Sequence, residues 1–213
     1  MRHVIWDWNG TLVDDFPVIV DSVNTSLALL GSSPITGDQY RTHYTRPVRV
    51  FYKRLLGREV SDAEWQQINT TFHDAYESSL DKVPLTVDAR DAVAAVAAAG
   101  ATQSVLSMWT HEELVPEVVR KGLDTAMVRV DGNPHTAGDT KSRLLEIHLA
   151  NLNHSAPAVL IGDAVDDAAA AKEVGIPCVL YDGGSHHRDQ MDAVGVPVAE
   201  SLTAAVSIAL NVQ

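Results

Sequence analysis

Two aspartate-rich stretches, far apart in the chain, carry the residues best suited to chemistry. Residues 7–14 read Asp-Trp-Asn-Gly-Thr-Leu-Val-Asp, and residues 162–167 read Gly-Asp-Ala-Val-Asp-Asp. Both stretches adjoin short apolar runs that predict buried strands, Val4–Trp8 and Ala158–Ile161. In an open parallel sheet, ligands bind beyond the carboxyl ends of the strands. We therefore expect these aspartates to meet at one edge of a sheet.

The expected cluster of carboxylates predicts a divalent cation. Asp7, Asp163 and Asp167, the last of them one helical turn beyond Asp163, would repel one another unless a cation offset their charge. Hard carboxylate oxygens suit Mg²⁺, which also keeps several of its waters. No CxxC or HxxxH spacing occurs in the sequence, which argues against zinc.

Two further polar residues are predicted at the same edge. Ser107 lies at the carboxyl end of the apolar run Gln103–Met108, which predicts another strand. Lys141 follows a turn-rich stretch before a helical pattern. Three residues interrupt the chain in that stretch: Gly132, Pro134 and Gly138. Four signals at strand ends therefore indicate a single site.

The rest of the chain predicts the elements that position these residues. Short apolar runs alternate with helical patterns, which is typical of a parallel sheet with helices on both faces. Further strands are expected at Pro177–Tyr181 and Met127–Val130. Helices are expected at Asp88–Ala99, His111–Lys121, Thr140–Asn151, Asp166–Val174 and Ser201–Leu210. The predicted fold class is α/β, with a Rossmann-like parallel sheet.

Residues 15–83 interrupt this alternation. A simple crossover between parallel strands needs only about a dozen residues. Amphipathic helical patterns in this segment cover Pro17–Leu30, Gly37–Tyr44, Val48–Leu56 and Asp62–Leu80. The sequence therefore predicts a small α-helical domain at 15–83, inserted into an α/β core formed by 1–14 and 84–213.

Charge and composition exclude several classes of partner. The chain has 28 acidic and 16 basic residues, and its formal charge of −12 opposes binding to nucleic acid or to an anionic membrane. The single cysteine, Cys178, rules out an internal disulfide. Asp7 comes too early for the apolar stretch of a signal peptide, and no run has the length of a membrane span. We expect a cytoplasmic enzyme, a monomer or homodimer, that acts on a small molecule.

The predicted site residues at the strand ends resemble the four ordered motifs of the haloacid dehalogenase superfamily. In chain order, the matching residues are Asp7-x-Asn9-Gly-Thr-Leu, Ser107, Lys141 and Gly162-Asp163-x-x-x-Asp167. Residues 15–83 are similar to the helical cap of the first subclass of that family. The alternative is an accidental set, in which Asp7 merely caps a strand and Asp163 belongs to a turn.

The resemblance implies a magnesium-dependent phosphohydrolase with an α/β core and a helical cap. In such an enzyme Asp7 attacks phosphorus and carries an aspartyl-phosphate intermediate. Mg²⁺ would be held by Asp7, Asp163 and the backbone carbonyl of Asn9, with Asp167 bound directly or through water.

Three more residues gain roles from the same resemblance. Ser107 and Lys141 would hold the phosphoryl oxygens, and Thr11 would fix the loop that follows Asp7. The implied substrate is a small phosphorylated metabolite, with phosphoglycolate phosphatase as the nearest analogy. A phosphomutase, which returns the phosphoryl group to a sugar, is a second enzyme hypothesis. The dehalogenase branch is disfavoured because it works on carbon without a magnesium cluster.

Asn9 departs from the family pattern. Phosphatases of the family usually carry aspartate at this position, where it protonates the leaving group and later activates water. Such acid–base assistance is worth about 10² to 10⁴ in rate, and an amide cannot supply it. Three explanations stay open: a substrate with a good leaving group, a proton from a cap residue such as His43 or Lys53, or a weakly catalytic regulatory protein that binds metal and phosphate.

Three residues are predicted to contact the substrate beyond its phosphoryl group. Arg46 and Arg49 lie between two cap helices, where a guanidinium could pair with a second anionic group. The alternative is a solvated basic face. Trp8, beside the nucleophile, is predicted to line the pocket, with ordinary packing as its alternative.

Overall fold

A computed structural model describes residues 2–134, 140–152 and 156–212 of the chain. Its strands are His3–Trp6 (β1), Thr102–Thr110 (β2), Val130–Asn133 (β3), Ala158–Gly162 (β4), Cys178–Tyr181 (β5) and Val198–Ala199 (β6). They form one sheet in the order β3-β2-β1-β4-β5-β6, and every paired neighbour is parallel. This order is that of a doubly wound Rossmann-like sheet, so the predicted α/β class is confirmed.

The register of β1 sets the position of the predicted nucleophile. Trp6, the last residue of β1, lies opposite Val105 of β2 and Ile161 of β4. Successive connections run outwards in one direction from β1 and in the other from β4, so the order reverses between these two strands. Ligands bind outside the carboxyl ends of the strands at such a reversal. Asp7 and Asp163 leave the sheet at that point.

The helices surround the sheet or form the inserted segment. In chain order they are Phe16–Leu29 (α1), Gly37–His43 (α2), Val48–Leu56 (α3), Asp62–Glu77 (α4), Ala89–Ala98 (α5), His111–Arg120 (α6), Lys141–Ala150 (α7), Val165–Val174 (α8), Arg188–Asp192 (α9) and Leu202–Asn211 (α10). The predicted helices agree with these to within a few residues. Neither α9 nor β6 was predicted, because five and two residues are too few for a hydrophobic period to show.

The chain divides into two compact units. One consists of Met1–Asp14, Leu85–Gly184 and Arg188–Gln213, and the other of Asp15–Pro84 and Ser185–His187. The second unit is called the cap here. The sequence does not predict that Ser185–His187 belongs to the cap, because only contacts in the folded chain join this segment to it. For example, Nε2 of His187 lies 3.2 Å from the Thr42 hydroxyl.

The third strand begins three residues later in the chain than predicted. It was expected at Met127–Val130, whereas β3 is Val130–Asn133. A 3₁₀ turn covers Asp124–Ala126, and the Met127 amide still donates a hydrogen bond to the Asp124 carbonyl. Met127 therefore belongs to the end of the turn and not to the strand.

Gly132 is predicted to interrupt the chain, but it lies inside β3. A Cβ at this position would lie 2.6 Å from the backbone carbonyl oxygen of Trp109, so the close approach of another chain segment requires glycine. The turn signal at Gly138 lies outside the described residues.

Each unit has its own apolar core. Fully buried Ile5, Leu106 and Leu160 of the sheet pack with Leu145 of α7 and Ala171 of α8. Truncating a buried leucine to alanine costs about 2 to 5 kcal/mol, so these contacts hold α7 and α8 firmly on the sheet.

The cap core is aromatic. Buried Phe16, Tyr40 and Phe51 pack edge to face. The ring centroids of Phe16 and Tyr40 are 5.4 Å apart, and those of Tyr40 and Phe51 are 5.0 Å apart.

Within the described ranges, we find no helix with the length and hydropathy that a membrane span requires.

Candidate active site

Three aspartates gather where β1 and β4 end. The Asp7 amide donates to the Ile161 carbonyl at 2.8 Å, which extends the pairing of β1 with β4 by one residue. Asp163 follows β4, and Asp167 lies in the first turn of α8. Carboxylate oxygens of Asp7, Asp163 and Asp167 lie within 4.8 Å of one another, and all three residues are buried. The structure thus brings together residues that are remote in sequence.

Lys141 adds a cation to this cluster. Thr140 begins α7 by accepting a hydrogen bond from the Arg143 amide, so Lys141 is the first residue of that helix. Its ammonium lies 2.7 Å from Oδ1 of Asp7 and also pairs with Oδ1 of Asp167. Burial would lower the pKa of Lys141, but the two carboxylates outweigh it and raise the pKa, so the ammonium stays charged.

The electrostatic balance of the cluster favours a further cation. Burial raises the pKa of Asp7 to about 6, Lys141 opposes this shift, and the nearby Asp167 carboxylate adds to it. One ammonium is opposed by three carboxylates, so negative charge is in excess when all are ionised. A divalent cation with a preference for oxygen ligands fits this donor set.

Two of the carboxylates are held by the backbone around them. Oδ2 of Asp167 accepts a hydrogen bond from the Ala164 amide at 2.9 Å, which joins it to the start of α8. Asp163 is enclosed by glycines, since a Cβ at Gly10 would lie 2.6 Å from its Oδ2, and a Cβ at Gly184 would overlap the same atom. These side chains therefore have little freedom to turn away, and the ligand oxygens are preorganised.

The sequence does not predict the part that Gly184 plays in the site. It is the second residue of the Gly183-Gly184 pair that follows β5, and such a pair signals a turn. The pairing of β5 with β4 sets this turn beside Asp163, and that placement depends on the fold. Glycine is needed there for close approach to a carboxylate.

The other predicted polar residues lie in the loop after Asp7 or contact it from β2. The Ser107 hydroxyl, at 2% exposure, lies 3.4 Å from Oδ1 of Asn9 and accepts a hydrogen bond from the Trp109 amide. The Thr11 hydroxyl makes a long hydrogen bond of 3.5 Å to Oδ1 of Asp163. The Thr11 carbonyl accepts from the Thr86 hydroxyl at 2.5 Å, which fixes the loop from its other side.

The three residues predicted to bind the rest of the substrate have different surroundings. Trp8 is fully buried, and its indole Nε1 has no hydrogen-bond partner among the described residues. Arg46 is exposed in the cap. Arg49 pairs with Asp62 at 2.7 Å and donates to the Val60 carbonyl, so its guanidinium joins α3 to the start of α4. Substrate contact by these residues stays a prediction.

Comparison with known proteins identifies the family. A sequence model of the haloacid dehalogenase-like hydrolases matches residues 1–175, which include every residue of the carboxylate and lysine cluster. The chain belongs to this family. The resemblance seen in the four motifs is thereby confirmed, and the protein is a hydrolase.

Individual relatives agree with the family assignment. The chain is 24% identical over 213 residues to a phosphoglycolate phosphatase of Pseudomonas fluorescens, covering 96% of this chain and 75% of the relative. It is 25% identical over 197 residues to a phosphoglycolate phosphatase of Synechococcus elongatus, covering 91% and 89%. The fold is similar to that of a haloacid dehalogenase-like hydrolase from Streptococcus pneumoniae, with TM-score 0.80, 16% identity and 97% of each chain covered.

Proposed function

We propose that this hydrolase is a magnesium-dependent phosphatase that acts on a small phosphate monoester through an aspartyl-phosphate on Asp7. The observation that supports it is the buried cluster of Asp7, Asp163 and Asp167 with the Lys141 ammonium, at the point where the strand order reverses. A carboxylate nucleophile, a cation-binding set and a permanent positive charge are the groups that phosphoryl transfer requires.

Asp7 performs the covalent step. One of its carboxylate oxygens forms a bond to phosphorus while the bond from phosphorus to the ester oxygen breaks, and the departing alkoxide takes a proton from water. Water then attacks phosphorus and the aspartyl oxygen leaves, which restores Asp7 and releases inorganic phosphate. The two steps divide one difficult displacement into two easier ones.

Magnesium would be held by Asp7, Asp163 and Asp167 together with the backbone carbonyl of Asn9. When bound, it supplies charge neutralisation between the anionic nucleophile and the anionic phosphoryl group. Lys141 contributes a second positive charge, and the Ser107 hydroxyl contributes a hydrogen bond to the phosphoryl oxygens. Because Asp163 is enclosed by glycines and Asp167 is bound to the Ala164 amide, this environment is set before the substrate arrives.

The substrate is proposed from the relatives and from Asn9. The phosphoglycolate phosphatases among the relatives suggest a small phosphorylated metabolite with a second anionic group. The guanidinium of Arg46 or of Arg49 is the proposed partner for that group, since its planar fork can hold a carboxylate through two hydrogen bonds. Asn9 cannot protonate the leaving group, so we expect faster turnover of esters whose alcohols leave readily.

Phosphate release under defined metal conditions tests this proposal. The wild-type protein should release inorganic phosphate from 2-phosphoglycolate and from 4-nitrophenyl phosphate in Mg²⁺ and lose both activities in excess EDTA. Asp7→Asn should remove both activities without unfolding the protein. Release that survives in Asp7→Asn or in EDTA would contradict the proposal, and sugar-phosphate isomerisation faster than hydrolysis would assign the site to a phosphomutase.

A further inference from the structure

A chain of buried polar side chains runs through the core unit away from the carboxylate cluster. Nε2 of His3 lies 2.7 Å from the Ser104 hydroxyl, and Nε2 of His148 lies 2.7 Å from the same hydroxyl. Nδ1 of His148 lies 2.7 Å from Oδ2 of Asp131. His3, Ser104 and His148 are fully buried. The chain therefore connects β1, β2, α7 and β3, and no step proposed above uses it.

The hydrogen-bond directions in this chain are constrained. The pKa of Asp131 is lowered: burial would raise it, but hydrogen bonds from His148 and Arg129 outweigh burial. The ionised carboxylate can only accept, so Nδ1 of His148 donates to it. The Ser104 hydroxyl has a single hydrogen and faces two imidazole nitrogens, so it donates to one and accepts from the other. Nδ1 of His3 lies 2.8 Å from the Thr102 hydroxyl, so both nitrogens of each imidazole have a hydrogen-bond partner.

His148 and Lys141 share one face of α7. They are seven residues apart, which is about two helical turns and about 10 Å along the axis. Leu144 and Leu145, buried against the sheet, lie between them. Apolar contacts are not directional, whereas the hydrogen bonds of His148 to β2 and β3 fix both the rotation and the axial position of the helix. These hydrogen bonds of His148 therefore also fix the position of Lys141, the first residue of the helix.

We propose that His148 is a positioning residue for Lys141: by bonding to Ser104 and Asp131, it sets α7 so that the Lys141 ammonium reaches Asp7 and Asp167. The kinetic part of this inference rests on the proposed phosphatase function, but the structural part does not. Lys141 must meet two carboxylate oxygens at once, one of them at 2.7 Å, so a small shift of α7 separates it from at least one of them.

Two matched variants separate positioning from general stability. His148→Leu and His3→Leu each remove an imidazole that lies 2.7 Å from the Ser104 hydroxyl, but only His148 belongs to the helix that carries Lys141. Both variants should lower the melting temperature. His148→Leu should also lower kcat on 4-nitrophenyl phosphate by about 10-fold to 10²-fold, since a displacement of about 1 Å can cost that much. His3→Leu should keep kcat within about 3-fold of wild type, which is under about 1 kcal/mol of barrier.

A second readout does not depend on turnover. The NMR signal of the Lys141 ammonium should be sharp and slow to exchange in the wild-type protein and in His3→Leu, and broadened or absent in His148→Leu. Asp131→Asn should keep the signal because its amide oxygen still accepts from His148, whereas Asp131→Leu should weaken it. If His148→Leu does not fold, His148→Gln makes the same test, since it keeps a polar group for Ser104 and loses the contact with Asp131.

The outcomes are distinct. A folded His148→Leu or His148→Gln variant with a wild-type Lys141 signal and unchanged kcat would overturn the positioning role. An equal loss of kcat in His3→Leu would overturn it as well. A wild-type protein without phosphatase activity would refute the proposed function instead, and the ammonium signal would still decide the role of His148.

Discussion

Oδ1 of Asp7 lies 2.7 Å from the ammonium of Lys141, although Asp7 follows the first strand of the chain and Lys141 begins its seventh helix. The same ammonium pairs with Asp167, so it lies between the proposed nucleophile and a proposed metal ligand. A permanent cation at this place balances part of the charge of the cluster and remains available to an incoming phosphoryl group.

Replacing this cation should impair turnover. Lys141→Met should lower kcat by about 10² to 10³, the usual effect of removing one preorganised group that stabilises charge in the transition state. Lys141→Arg is the matched variant. It keeps the charge but not the compact geometry, so it should fall between wild type and Lys141→Met. Steady-state phosphate release measures both, and a Lys141→Met enzyme with wild-type kcat would remove Lys141 from the mechanism.

Gly10, one of the two glycines beside Asp163, should matter for metal binding as well as for folding. Gly10 and Gly31 have φ values of 70° and 67°, but a Cβ at Gly10 would lie 2.6 Å from Oδ2 of Asp163, while Gly31 has open space. Alanine at Gly31 should cost about 1 to 2 kcal/mol of unfolding free energy, because the left-handed backbone disfavours a side chain. Alanine at Gly10 should cost more, because its Cβ also displaces the Asp163 carboxylate. Gly10→Ala alone should raise the Mg²⁺ concentration needed for half-maximal activity.

Urea unfolding and magnesium titrations of the two variants supply the comparison. If Gly31→Ala weakens the response to Mg²⁺ as much as Gly10→Ala does, the close packing around Asp163 has no special part in binding the metal.

Much of the fold could be predicted because its signals are local. The apolar run before Asp7 and the helical period at Val48–Leu56 specify elements by themselves, and the structure has an element at each of these places. The displaced start of β3 and the short β6 could not be predicted in this way. Their limits depend on a neighbouring 3₁₀ turn and on pairing with β5.

In the site, too, features with a local sequence signal could be predicted, and features that depend on contacts in the folded chain could not. Asp7, Asp163 and Lys141 could be proposed from their motifs, since strand ends in a parallel sheet converge. Gly184 and His148 could not. Gly184 matters because of what a side chain there would touch, and His148 looks like any other polar residue of a helix until its contacts with Ser104 and Asp131 are seen.

Asn9 should limit turnover through its missing acid. Asn9→Asp should raise kcat on an alkyl phosphate by more than it raises kcat on 4-nitrophenyl phosphate, since the alkyl alcohol needs a proton and the nitrophenolate does not. The gain on the alkyl ester can approach the factor of about 10² associated with general acid catalysis. Equal effects on the two esters, or a lower rate on the alkyl ester, would argue against a missing acid.

Magnesium should stabilise the folded protein through Asp163. A ligand that binds only the folded state adds about 2.7 kcal/mol of stability at a concentration 100 times its dissociation constant. The melting temperature of the wild-type protein should therefore rise with Mg²⁺, and that of Asp163→Asn should not. Asp189→Asn, an exposed change on α9, is the control and should behave as wild type. A magnesium response that persists in Asp163→Asn would place the metal elsewhere.

The most direct test is chemical capture of the phosphorylated aspartate. Borohydride reduces an acyl phosphate to an alcohol, so quenching the enzyme with borohydride during turnover in Mg²⁺ should convert the Asp7 side chain to homoserine. Mass spectrometry of the peptide that contains residues 3–14 reads this conversion. The account predicts homoserine at position 7 only when substrate and Mg²⁺ are both present. Sustained phosphate release with unmodified Asp7, or capture at a different residue, would contradict it.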